Sequence, residues 1–156
     1  MTNRIFPDEE ITENDLYFLC YMVERVARKL HQKNKYVVNQ ISKEEWERLI
    51  SLANVLHCEN PVKTETEWIE EYGLERGEFD IANVDMELVD EIPSATQMGK
   101  VYLRLILSTL QPGEDYIDGM IRVYNDDICE VIDNYNSSAY YEPSYVITRA
   151  YNHGGF

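Results

Sequence analysis

Between Thr12 and His31, Leu16, Leu19, Cys20, Val23, Val26, Ala27 and Leu30 recur at the three- and four-residue spacing of one helix face. Thr12 can cap the start, Glu13 and Asp15 occupy the first turn, and Arg25, Arg28, Lys29, Lys33 and Lys35 gather around the end, so the charges follow the helix dipole. Tyr17, Phe18, Tyr21 and Met22 widen the apolar face, which predicts a helix covered on more than one side. A second amphipathic helix begins with the capping box Ser42 and Glu45 and continues through Trp46, Leu49, Ile50, Ala53 and Leu56 to about His57. Ser94 with Gln97 opens a third, in which Met98, Val101, Tyr102, Leu105 and Thr109 form a stripe that Leu103, Ile106, Leu107 and Leu110 extend almost all round. This third helix is expected to be the most buried. Gln111, Pro112 and Gly113 end it, and Asp115 can cap the next element.

The intervening stretches are less regular. Residues 1–11 read as an arm with little to bury beyond Ile5 and Phe6. After His31 a polar run breaks the helical period, and Tyr36 to Val38 reads as an extended or turn-like link. Glu59, Asn60 and Pro61 stop the second helix. Thr64 to Tyr72 predicts a short acidic helix displaying Trp68, Ile69 and Tyr72, with Gly73 as a left-handed stop. Phe79, Ile81, Val84, Met86 and Leu88 alternate with polar residues, the period of an extended segment that either pairs with Tyr36–Val38 or crosses the core alone. From Tyr116 to Asn136 a hairpin about Asn125–Asp127 competes with a helix. The helical face through Ile117, Met120, Ile121, Tyr124, Ile128, Val131, Ile132 and Tyr135 is continuous and the longer match, so helix is expected, weakened by Gly119 and by an Asn-Asp-Asp step able to kink or split it. Asn134 to Ala139 reads as a polar loop, and Pro143 suits the first turn of a last helix that docks Val146, Ile147, Ala150 and Tyr151. These elements predict a mainly α, single-domain helical bundle of four to six helices with a short extended or two-stranded element.

Phe18, Leu19, Tyr21 and Glu24 in the first helix, with Leu56 and His57 closing the second, make a pattern that resembles a group of short bacterial helical proteins of unknown function. The resemblance covers residues 12–75. It implies a bacterial or mobile-element origin and a toxin-associated neighbourhood, and it assigns no site residue.

Composition sharpens the functional reading. Against 29 acidic side chains the chain has 14 basic ones, a formal charge of −15. Residues 59–91 carry 12 acidic and 2 basic groups, so a fifth of the chain holds two thirds of the excess. Such a field repels phosphate backbones and fits a basic protein partner better than nucleic acid. No apolar run reaches the roughly 20 residues of a membrane span, and the N-terminus lacks the pattern of a signal peptide, so a cytoplasmic protein is expected. Cys20, Cys58 and Cys129 lie far apart and read as free buried thiols.

Catalytic patterns are sparse. His31, His57 and His153 are separated by whole elements, and the glycines are too scattered for a phosphate-binding loop. His57 and Cys58, being adjacent, point about 100° apart on a helix and do not make a thiolate pair. Glu67, Glu70 and Glu71 share one side of a short helix, which reads as a solvated acidic face; the alternative is a metal site formed by Glu67 and Glu71 with His57. Twelve tyrosines, crowded at Tyr135, Tyr140 and Tyr141, offer flat amphipathic area suited either to an interface or to covering the core. The reading these features support is a non-enzymatic interaction module of inhibitor, immunity or antitoxin type, without cofactor. Its expected contacts with a basic partner are Glu67, Trp68, Glu70, Glu71, Tyr72, Tyr135, Tyr140 and Tyr141. The alternatives are a carboxylate-based metal-dependent enzyme and a phage or mobile-element assembly subunit.

Overall fold

Helix α1 (Glu13–Leu30) is the pillar of the fold in a computed structural model that describes residues 1–156. Asp15 returns a carboxylate oxygen to the Thr12 backbone N–H at 2.8 Å and so closes its first turn. Eleven of its 18 residues are buried, against six of 15 in the third strong helix, so the first helix and not the third is the most enclosed. The reason is position: α1 packs on α2 (Asn34–Gln40), α3 (Lys43–Leu56), α4 (Pro61–Glu71) and most extensively on α5 (Ala95–Thr109). Gly99 makes the last contact possible, because a Cβ there would stand 3.2 Å from the Tyr21 backbone.

Helices α6 (Tyr116–Tyr124), α7 (Ile128–Ile132) and α8 (Ser144–His153) complete the set, with 3₁₀ turns at Tyr135–Ser137 and Ala139–Tyr141. The fold is mainly α as expected, but with eight α-helices rather than four to six. Residues 116–136 are helical and split at Asn125–Asp127, where the Asp126 carboxylate accepts from Ile128 N–H at 2.9 Å and starts a new helix in place of a continued one. Arg122 of α6 ties this part together, donating to Glu114 at 2.7 Å, Tyr151 Oη at 2.6 Å and the Thr109 carbonyl at 3.0 Å.

Three expectations are corrected. Tyr36–Val38 is not extended but lies within α2, because Val37 and Val38 are buried on one side of a single short helix and the Val38 carbonyl accepts from Trp46 Nε1 at 2.9 Å. The two-stranded pairing is therefore absent, and the sole bridge in the chain joins Thr2 and Glu10. Pro61 does not merely stop the second helix; it begins α4, capped by Asn60, whose side chain accepts from Val62 N–H at 2.9 Å. The N-terminal arm is pinned by a polar residue rather than by Ile5: Asn3 is buried and donates to the Ser51 carbonyl at 3.1 Å, whereas Ile5 is exposed.

One continuous apolar cluster runs from Ile11 to Ala150. Of the expected core positions, Leu16, Leu19, Val23, Trp46, Met98, Leu105 and Ile132 are fully enclosed, while Val101 and Ile121 are partly buried at its margin. Cys20 and Cys129 are buried thiols, and burial pushes the Cys20 thiol up to about 12; Cys58 is exposed. No helix is long and apolar enough to cross a membrane.

Candidate functional site

Residues 73–93 connect α4 to α5 without regular structure and lie across the C-terminal end of α1. Helix α1 ends at His31, which adopts a left-handed conformation (φ 52°), and leaves carbonyls to be satisfied. Gly77 N–H donates to the Leu30 carbonyl at 2.8 Å and Phe79 N–H to the His31 carbonyl at 2.9 Å. Tyr36 Oη accepts from Glu75 N–H at 2.8 Å, and Asn136 Oδ1 accepts from Asp85 N–H, also at 2.8 Å. Leu74 and Val89 are buried at either end of the segment. The alternation seen from Phe79 to Leu88 is thus not a strand. Ile81 and Val84 pack on the core, and Met86 and Leu88 stand 64% and 66% exposed.

The charge on this segment is uncompensated. Glu75, Glu78, Asp80, Asp85, Glu87, Asp90 and Glu91 are exposed, and none is within 4.0 Å of a basic nitrogen. The acidic face of α4 differs. Glu71 receives Arg48 at 2.6 Å and Glu67 lies 3.7 Å from Lys63, so of the expected trio only Glu70 has no cation beside it.

The aromatic residues divide in the same way. Trp68 is 2% exposed and packs edge-on against Trp46 with ring centroids 5.5 Å apart, so it belongs to the core and not to a docking surface. Tyr135 is likewise 2% exposed, its hydroxyl accepting from Arg28 at 3.0 Å. Both rings lie on faces turned toward the interior, and periodicity alone does not say which face of a short helix meets a neighbour. Tyr72 is partly buried and accepts from Arg48 at 3.0 Å. Tyr140 is partly buried edge-on to Tyr135, and Tyr141 remains 76% exposed. His57 packs against the Phe18 ring at 5.5 Å, and His57, Glu67 and Glu71 form no three-ligand cluster.

Beneath residues 79–84 a cavity of about 270 Å³ opens between the start of α2 and α7 with its following turn. Phe79, Ile81 and Val84 form one wall, and Asn34, Asp133 and Tyr135 contribute to the other. Behind it runs a hydrogen-bonded chain. Glu24, 1% exposed on the inner face of α1, accepts from Arg28 Nε at 3.0 Å and from Asn34 Nδ2 at 3.2 Å. The same amide nitrogen reaches Asp133 Oδ2 at 3.3 Å, and the other Asp133 oxygen accepts from Tyr102 Oη at 2.6 Å. Arg28 also donates to the Pro93 carbonyl at 2.8 Å, which fastens the far end of the acidic segment to α1.

Electrostatics place a proton here. Burial and the neighbouring Glu24 charge hold the Asp133 carboxyl well above the ordinary aspartate range, and Glu130 adds to the effect. Glu24 has Arg28 as its counter-ion at 3.0 Å. Burial likewise raises the Tyr102 hydroxyl. At the mouth, Lys33 and Lys35 both pair with Glu130, at 3.0 and 3.6 Å. The sequence reading missed Asn34 and Asp133 altogether. The available signal was Glu24, a carboxylate one turn from Cys20 on the apolar stripe of α1, which demands a buried partner.

The chain matches no protein-family model, and comparison with curated proteins and with solved structures gives no match either.

Proposed function

We propose that the chain is a non-enzymatic interaction module of inhibitor, immunity or antitoxin type, and that residues 75–91 present its docking surface to a basic protein. The observation that carries this reading is the concentration of seven exposed carboxylates without cationic partners around the exposed side chains of Met86 and Leu88. Carboxylates steer a cationic surface into place, and the two apolar side chains supply area to bury once it arrives. Glu70 and Tyr141 lie outside this segment as secondary contacts, whereas Glu67, Glu71 and Tyr72 are already engaged within the protein.

The test is capture from native lysate at low salt beside two variants, one with Glu75, Glu78, Glu87 and Glu91 as glutamine, the other with Met86→Ser and Leu88→Ser. A recovered protein is then purified and its association rate measured across a salt series. A basic partner whose association slows with salt and with charge removal, and whose dissociation quickens with the serine pair, supports the reading. Association indifferent to salt and to all four glutamines overturns it.

The assembly-subunit reading draws on a different observation, the exposure of Tyr141 (76%) and Tyr145 (66%) on adjoining turns at the C-terminal end. A concentration-dependent oligomer that dissociates on Tyr141→Ser and Tyr145→Ser would favour it over the docking reading. A monomer at high concentration in sedimentation counts against it.

A further inference from the structure

We propose that the cavity between α5 and the start of α8 binds a small monoanion, a single ring bearing one carboxylate. The proposal rests on neither reading above, and Tyr141 is the one residue it shares with them.

Unpaired cations are the first ground. Ten of the 14 basic side chains lie within 4.0 Å of a carboxylate, as 29 acidic groups lead one to expect, but Arg76, Lys100, Arg104 and Arg149 do not. Two of these four, Lys100 and Arg104, line one cavity. They stand about one turn apart on α5, both exposed, and like charges at that spacing repel. An anion between them turns that repulsion into two attractions. Ser144, the first residue of α8, also lines the cavity, and no side chain caps that helix end, so the partial positive charge of its first turn adds to that of the two side chains.

The charge of the lining sets the valence of the ligand. Glu142 is the only carboxylate on the wall, exposed and farther than 4.0 Å from both cations, so the lining carries two positive charges and one negative. That balance matches one negative charge on the ligand. A phosphate dianion would be opposed by Glu142 and by the −15 of the chain as a whole. A carboxylate also suits the planar guanidinium of Arg104, which can offer it two parallel N–H donors.

Apolar side chains set the body of the ligand. Val101 and Leu105 from α5 and Ile147 from α8 line the cavity, and Tyr140 and Tyr141, edge-on with ring centroids 6.0 Å apart, make up another part of its wall. Such a surface suits a flat apolar ring. At about 200 Å³ the cavity has room for one ring and not for a nucleotide or a peptide.

The probes are benzoate, benzamide, which keeps the ring and loses the charge, and acetate, which keeps the charge and loses the ring. Each is titrated into the full chain at about 0.15 M salt, where distant charges are screened, and followed by amide chemical shifts. Benzoate is expected to bind at about millimolar concentration and to shift Lys100, Arg104, Tyr141 and Ile147, with benzamide and acetate each severalfold weaker. Lys100→Gln and Arg104→Gln, changes at exposed helix positions that leave the core intact, are each expected to weaken benzoate severalfold. Glu142→Gln is expected to strengthen it severalfold, a change of opposite sign that a loss of local structure would not produce. The glutamine variant of the docking segment should still bind benzoate there, so that this proposal and the docking reading fail separately. Absence of shifts along α5 and α8 up to about 10 mM benzoate, binding of benzamide or acetate equal to that of benzoate, or benzoate binding unchanged by all three substitutions overturns the proposal.

Discussion

Replacing Asp133 with asparagine removes a half-buried carboxyl whose pKa the fold raises. In the parent, burial and the Glu24 charge keep that carboxyl well above its ordinary range, so the folded chain holds a proton that the unfolded chain releases once the pH passes about 4. A group whose pKa rises on folding stabilises the fold fully below its unfolded pKa. That contribution then declines by about 1.4 kcal/mol per pH unit until the raised folded pKa is reached. An asparagine in its place would still accept from Tyr102 but does not titrate, and the contact with Asn34 Nδ2 at 3.3 Å would become one donor facing another. The substitution therefore adds a constant offset and removes the pH-dependent part. Urea unfolding followed by fluorescence of the buried Trp46 and Trp68 measures both. Subtracting parent stability from that of Asp133→Asn should give a difference that grows as the pH rises above about 4, by at most about 1.4 kcal/mol per unit. If the two stability curves run parallel above pH 5, Asp133 is ionised in the folded protein and the description of the Glu24, Asn34 and Asp133 cluster is wrong.

Two further perturbations test the packing. Leu19→Ala and Leu105→Ala, at side chains 0% and 2% exposed, should each cost about 2–5 kcal/mol in the same assay, and losses below about 1 kcal/mol at both would mean that the α1 and α5 faces are misassigned. Gly99→Ala should destabilise although alanine is the better helix former by about 1 kcal/mol, because the new Cβ meets the Tyr21 backbone at 3.2 Å and overpacking costs about 1–3 kcal/mol. A Gly99→Ala chain as stable as the parent, by thermal or urea unfolding, would show that α1 and α5 can separate without loss.

Elements whose information is local are legible in the residues themselves. The three strong helices carry their apolar period and their caps within fewer than about 20 residues each, and α1, α3 and α5 begin where Thr12, Ser42 and Ser94 stand. The Asn125–Asp127 step was legible only as a weak point in one helix; the two-residue cap by Asp126 that makes it a split belongs to the structure. Charge segregation also needed no structure, because it is a count. Which face of each short element meets a neighbour is a different kind of information, and it comes from packing. Val37 and Val38 are too few to show a period, and only Trp46 and α1 make α2 a helix with an inside. Trp68 and Tyr135 looked like contact residues until Trp46 and Arg28 were placed against them, the second from 107 positions away in the chain. The Glu24, Asn34 and Asp133 cluster joins residues 10 and 99 positions apart, and neither separation has a periodic signature. Only the assembled fold brings those polar groups into a common low-dielectric site, where burial raises the Asp133 carboxyl and one Asn34 acceptor is left unpaired.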